Sequence, residues 1–449
     1  MNIGTKIFIG ALTLLFAHRV YAAGKTPSKD SGYTVKIKIA GCKDSMLLMA
    51  TYYADKQYLK DSAYLDKQGF YVFKGTKKIE QGMYTIAGQA KVKFFDFFMD
   101  EQQNFTLETD TTDFDKYMKV TGSEENALFF EYQRYMTAKY HEVIPIQTNY
   151  RNAKSTNKDS AEYYLKQINL IDSVVKNHRK QFIASHPKNF FPKLLTALQE
   201  VEVPAAPKNA DGSIDSNYQY RFYKAHFWDN VDLTDDRLLH TPFFYEKLKK
   251  FFDQVVMQNP DSVYAEAVRM IDRTKEGSEM FKYLVIHVTN RSETSEIMGM
   301  DAAFVYMVKK YYKTGKAFWV DTVNLYRIVD AAEKLEPILI GRMAPPLNCA
   351  DSSLAALIPL YSVKAKYTVV VFWDPGCGHC QKEMPKLVES YDKMLKDGLD
   401  VKIYSVCSAS NVEEWKKYIV EKKHQKFINV IDHDISRRKY NISSTPVFF

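Results

Sequence analysis

Cysteine is scarce in this chain, and so are the patterns that would give it a structural purpose. Five cysteines are spread over 449 residues, and Cys42, Cys349 and Cys407 lie in three separate segments, so they do not look like a disulfide framework. A closed zinc site needs about four ligands. There is one CxxC, with neither a second CxxC nor a nearby Cys/His pair to complete it. His178, His186, His226, His240 and His287 occur singly, without metal-ligand spacing. No segment after the first 22 residues reaches 18 consecutive apolar residues, too little for a membrane span. Basic runs interleaved with aromatics are also missing, and the charge of +8 is spread over a surface with 54 acidic residues, so nucleic-acid binding is not indicated. The sequence calls for no metal and no cofactor.

What is present begins with a leader. Lys6, an apolar run from Ile7 to Ala17 and Val20-Tyr21-Ala22 ahead of Ala23 have the layout of a secretory signal peptide, residues 1–22, cleaved after Ala22. The mature chain then has about 427 residues and a charge of +6, enough for two or three domains. Aromatics at 14% most simply mean sizeable cores.

Residues 33–122 read as short strands. Val35, Ile37 and Ile39 alternate with Thr34, Lys36 and Lys38, and further strands are expected at 46–53, 69–73, 84–87, 94–99 and 105–109, as in a small antiparallel sandwich or barrel. Residues 124–340 change to helical periodicity, divided at His186-Pro187, Pro204–Pro207 and Asn259-Pro260. Phe227-Trp228 and Phe318-Trp319 in this region read as packing anchors. Residues 343–449 alternate strands and helices, which implies a central sheet covered on its faces. Strands are expected at 367–373, 401–406 and 427–431. A helix between the last two is opened by Asn411 with Glu414 three residues on, a capping-box arrangement.

Cys377-Gly378-His379-Cys380 sits where the strand Tyr367–Trp373 gives way to helical spacing. A helix start presents unpaired N–H groups and a positive dipole end, which favour thiolate over thiol. Cys377 is therefore the attacking sulfur. Cys380, one turn on, resolves the mixed disulfide that Cys377 forms. Met384, Leu387, Val388, Tyr391, Met394 and Leu395 continue the helix as one buried face. A peroxidase of the Thr-x-x-Cys type would want a hydroxyl where Asp374 stands, and a purely structural disulfide this short staples almost no loop entropy. Cys407, at the end of a core strand, reads as a small buried hydrophobe.

With Phe372-Trp373, Cys377-Gly-His-Cys380, Pro385 and Ser444-Thr445-Pro446, the C-terminal segment resembles a thioredoxin-fold domain of the periplasmic TlpA-like class, which includes the thiol reductases of cytochrome c maturation. The block ending Thr121-Gly-Ser-Glu-Glu-Asn126, with the helical region after it, resembles the N-terminal extension of multidomain envelope thioredoxin-like proteins. The implied architecture is multidomain: a β-rich sandwich-like domain, an all-α middle and an α/β thioredoxin fold. The resemblance implies that Cys377 is the nucleophile, Cys380 the resolving cysteine and Pro446 a cis-proline facing them. It places the backbone of Thr445 where a substrate chain pairs with it like a strand. It makes Pro385 the helix-kinking proline and Glu383 a general base for Cys380, with a solvated helix glutamate left open as the other reading.

Four departures qualify that inheritance. Gly376 stands where the class usually has Trp, and Val371 replaces the buried acid before Phe-Trp. His379 replaces the proline of thioredoxin; a protonatable ring beside Cys377 favours the reduced form, moving the potential toward the roughly −180 mV of isomerases and away from the roughly −270 mV of thioredoxin. The chain also stops three residues after Pro446, where the fold normally continues with a strand and a closing helix, so a truncated thioredoxin domain is expected. The functional expectation is an exported thiol-disulfide oxidoreductase of the cell envelope, acting as a reductase on protein disulfides and re-reduced by a membrane thiol donor. An isomerase-like exchanger and an envelope binding protein with an inactive thioredoxin scaffold stay open beside it.

Overall fold

Alternating side chains build the N-terminal region of the computed structural model, which describes residues 32–449 apart from 209–210, 410 and 433–434. The leader at residues 1–22 lies outside the described residues. Strands β1 (Tyr33–Ala40), β2 (Met46–Tyr53), β3 (Lys56–Tyr64), β4 (Tyr71–Gly75), β5 (Gly82–Ala87), β6 (Lys93–Met99), β7 (Asn104–Asp110) and β8 (Lys119–Thr121) form two sheets, in the orders β4-β1-β7-β8 and β3-β2-β5-β6. In β1 the alternate residues Val35, Ile37 and Ile39 are buried, as the period of two requires. The sheets meet through their inner faces, with the rings of Phe97 and Phe105 6.0 Å apart and edge to face.

Two features depart from the sequence reading. Strand β3 carries no apolar alternation because it is an edge strand with Ala63 as its one buried residue. Strands β1 and β7 run parallel, where an antiparallel sandwich is expected. A short turn dictates antiparallel pairing only for strands it joins directly; β1 and β7 are separated by the intervening five strands, and that constraint does not reach them.

The Ser123-Glu124-Glu125-Asn126 segment has a physical reason for its composition. The Ser123 hydroxyl caps the helix Glu124–Ala153 by accepting from the Asn126 N–H at 3.3 Å. The buried Asn126 amide both accepts from the Phe98 N–H at 2.7 Å and donates to the Phe98 carbonyl at 2.8 Å, tying the helix to β6. Buried Glu125 accepts from the backbone N–H groups of Phe190 and Phe191, a carboxylate at the positive end of the helix Phe190–Ala197.

By compactness the chain divides into Met1–Val256 with Arg273–Met280, and Met257–Asp272 with Phe281–Phe449. The first unit holds the two sheets and the packed helix pair Glu124–Ala153 and Lys158–Ser185. It also buries Phe227 and Trp228 against Phe251, with ring centroids 5.0 and 5.4 Å apart. The second unit begins with the helices Pro260–Ile271, Asp301–Met307 and Thr322–Leu335. Here Phe318 is not the packing anchor expected: it is exposed, with the Lys282 ammonium 5.1 Å from its ring.

The α/β domain follows in the second unit. Strands β9 (Asn348–Asp351), β10 (Leu357–Pro359), β11 (Tyr367–Trp373), β12 (Val401–Cys407), β13 (Ile428–Ile431) and β14 (Val447–Phe448) form one sheet in the order β10-β9-β13-β12-β11-β14. The pairs β11–β12 and β12–β13 are parallel, and β14 returns antiparallel along β11. Alternation divides the core in two. Val371, Trp373, Ile403 and Cys407 share a cluster with Cys380, Met384 and Tyr391 of the helix Gly378–Lys396 and with Trp415, Tyr418 and Ile419 of the helix Val412–Glu421. Val370, Phe372, Tyr404 and Val406 pack into a second cluster with Leu347 and Tyr440. The expected cap is formed: Asn411 accepts from the Glu414 N–H at 3.2 Å.

Candidate functional site

The residues ahead of the cysteines form a tight turn. The Asp374 carboxylate accepts from the Gly376 N–H at 2.8 Å, its carbonyl accepts from the Cys377 N–H at 3.1 Å, and the Gln381 amide reaches back to the Pro375 carbonyl at 2.9 Å. Held by this turn, Cys377 is the N-cap of the helix Gly378–Lys396, with extended backbone, so its side chain lies beside the helix's first N–H groups. Gly376 has open surroundings. A Cβ there meets one atom within 4 Å, an Asp374 carboxylate oxygen at 3.3 Å.

The two sulfurs occupy opposite environments. Cys377 is half-buried and donates to the Thr445 carbonyl at 3.3 Å. Its thiol is held below the ordinary range, first by the backbone N–H of Cys380 and also by that of His379. Cys380 is fully buried, accepts from the Asp374 N–H at 3.4 Å, and is pushed up by burial. One turn of helix thus separates an accessible, acidified thiol from a buried, basic one. No disulfide links any of the five cysteines.

Thr445 and Pro446, joined by a cis peptide bond, are brought to the pair from the loop before β14. His379 is exposed beside Cys377. Pro385 lies inside the helix, where it removes the hydrogen bond due to the Gln381 carbonyl. Glu383 follows Cys380 by three residues, and its carboxylate, 44% exposed, is paired with Lys386 at 2.8 Å. Cys407 is fully buried, and burial pushes its thiol up to about 12.

The core behind the cysteines holds groups that no motif announces. Trp373, fully buried, donates through Nε1 to Ser405 Oγ at 2.7 Å. Its ring lies 5.0 Å from Tyr418 and 5.3 Å from His424. His424 is fully buried, with no hydrogen-bond partner at either ring nitrogen. A signal for these existed, an aromatic spacing of Trp415, Tyr418 and His424, but that spacing also fits ordinary packing.

His424 makes acid stability testable. Burial, and then the charge of Lys426, lower its pKa from 6.5 to about 4. An unfolded chain protonates this ring below about pH 6.5, and the folded one resists until about pH 4. The stabilisation is complete above the upper value and is lost as pH falls through that window, about 3 kcal/mol in all. Denaturant melts of the protein and of His424→Phe between pH 7 and 4 should show the steeper acid loss in the histidine protein. Parallel curves would mean that the fold leaves the His424 pKa at its unfolded value.

Comparison with known proteins gives the following. Residues 365–449 match a family model described as thioredoxin-like, while residues 33–129 and 174–336 match two domains of unknown function, DUF4369 and DUF5106. Among solved structures, a domain of a possible thiol-disulfide isomerase from Cytophaga hutchinsonii is 38% identical, over 25% of this chain and 76% of that one, with a TM-score of 0.23. The thioredoxin domain of a thiol-disulfide oxidoreductase from Bacteroides vulgatus is 30% identical, over 24% of this chain and 77% of that one, with a TM-score of 0.22. A thioredoxin-like protein from Bacteroides caccae is 17% identical, over 56% of this chain and 90% of that one, with a TM-score of 0.41. No curated protein matches the chain.

Proposed function

We propose that this chain, whose residues 365–449 match a thioredoxin-like family model, exchanges disulfides with protein substrates of the cell envelope through Cys377 and Cys380, as a reductase. The observation that carries the reading is the split between the two sulfurs: Cys377 half-buried and acidified at a helix start, Cys380 buried and raised one turn behind it. A nucleophile must be accessible and anionic, and a resolving thiol must be held in reserve until a mixed disulfide forms.

In the exchange, Cys377 thiolate attacks one sulfur of a substrate disulfide and releases the other as a thiol. Cys380 then attacks Cys377, the substrate leaves reduced, and the protein keeps the Cys377–Cys380 disulfide until a thiol donor at the membrane returns two electrons. Thr445 and Pro446 border the attacking sulfur and offer backbone for an extended substrate segment, and exposed His379 lines the same approach. Glu383 faces solvent beside Lys386 and has no part in this scheme. The leader of residues 1–22 supports export to the periplasm, and no helix among the described residues is long and apolar enough to cross a membrane.

Trapping tests the reading. Cys380→Ser leaves Cys377 able to attack but removes the thiol that ends the mixed disulfide, so covalent partners should accumulate on Cys377 and be released by reductant. Absence of any trapped partner, together with no turnover of a model disulfide by the intact protein, would sink the enzyme.

A further inference from the structure

Cys380 must give up its proton as it attacks, and it does so from full burial, where the neutral thiol is favoured. The two carboxylate positions that the family resemblance would use do not serve it. Val371 stands on the same sheet face as an apolar residue, and Glu383 is paired outside with Lys386. What the fold does gather with Cys380, in one core cluster, is Trp373, Trp415 and Tyr418. The Trp373 indole N–H is committed to Ser405 at 2.7 Å. The Tyr418 hydroxyl is different: it is buried and has no hydrogen-bond partner. A buried polar group is ordinarily satisfied, so an unpartnered hydroxyl in the same core cluster as a reactive thiol asks for a role.

Three further observations converge on it. Burial first, and the Cys380 charge second, raise the Tyr418 phenol, so oxygen and sulfur sense each other and the hydroxyl keeps its proton. Its ring is held in place by Trp373 at 5.0 Å and His424 at 5.3 Å. His424 is neutral at pH 7 and so brings no charge to the pocket. The other groups near the pair are Cys377, Asp374, Cys407 and Glu414; the Asp374 backbone N–H and the Thr445 side chain already favour the Cys380 anion from the cysteine loop and the cis-proline loop, and Tyr418 is the hydroxyl that the helix Val412–Glu421 brings to the cluster.

We propose that Tyr418 is a positioning residue for the resolving thiol: its hydroxyl donates a hydrogen bond to the Cys380 sulfur as that sulfur becomes a nucleophile, in the role that a buried carboxylate would otherwise fill. The inference rests on the assignment of Cys377 and Cys380 as attacking and resolving sulfurs. In the step concerned, the Cys380 sulfur bonds to Cys377 and the bond from Cys377 to the substrate sulfur breaks. The electron pair leaves on the substrate sulfur, which takes up the proton released from Cys380. The substrate is reduced, the cysteine pair is oxidised, and Tyr418 retains its own proton throughout.

Tyr418→Phe deletes one oxygen and keeps the ring. In a Cys377→Ala background, the Cys380 thiol should then titrate about one to two pH units higher, the value of one hydrogen bond to a charged sulfur. With Cys377 loaded as a mixed disulfide with glutathione, Tyr418→Phe should slow release at pH 7 roughly three- to tenfold, since lower thiolate content outweighs higher nucleophilicity. Alkylation of Cys377 in the reduced protein should keep its rate. If the phenylalanine protein does not fold, 2,3-difluorotyrosine at position 418 preserves the shape and strengthens the donor, and Cys380 should titrate lower. An unmoved Cys380 titration in the folded variants overturns the inference even where the wild type exchanges disulfides. A moved titration in a protein that exchanges none supports the tyrosine and removes the oxidoreductase.

Discussion

Cys377→Ser takes disulfide exchange down to the uncatalysed background, a loss of at least about three orders of magnitude, as removal of a covalent nucleophile does elsewhere. Serine fits the N-cap position at least as well as cysteine, so the fold loses nothing. What disappears is a sulfur whose anion the helix's first N–H groups favour, while an alkoxide in its place stays out of reach. No other cysteine is placed to substitute. Cys380, Cys349 and Cys407 are buried, with the Cys380 thiol pushed up by burial and the Cys407 thiol pushed up to about 12, and Cys42 lies in the N-terminal region, outside the α/β domain. Turnover of a model disulfide by the purified variant measures this, and retained turnover would move the nucleophile elsewhere.

Trp373→Ala costs about 4 kcal/mol of stability, the range for deleting a large buried aromatic. Trp373 is fully buried at the end of β11 and bridges both helices of its cluster to the sheet. Its loss empties the space against Tyr418 and His424, and it strands the Ser405 hydroxyl, its partner at 2.7 Å, in the core. The midpoint of the α/β domain should fall by about 20 °C. Trp373→Phe, which keeps the ring but not the N–H, should lose less than half as much. Equal losses for the two variants would show that the hydrogen bond, and not the volume, dominates.

Local signals were legible where a short segment carried its own reason. The run Tyr367–Trp373 is a strand, Cys377 opens a helix, and Asn411 with Glu414 caps the next one, because each depends on neighbours within four residues. Edge strand β3 was silent because exposure removes the pressure for apolar alternation. The parallel pairing of β1 with β7 was silent because nothing between them states their direction. Glu125 reads as one more acidic residue at a helix start. Only the approach of Phe190 and Phe191 shows why a carboxylate is buried there.

By itself the sequence determined the local arrangement: two cysteines one helical turn apart at a strand-to-helix junction, with Thr445-Pro446 far along the chain as their expected companion. The tertiary structure alone decided how the chemistry is shared out. It buried Cys380 in a cluster of sheet and helix residues, paired Glu383 with Lys386 at the surface, and brought Tyr418, whose buried hydroxyl has no hydrogen-bond partner, into the same cluster. The physical reason is that acidity and reactivity follow burial and partners, and those are set by residues tens of positions away, which no local spacing encodes.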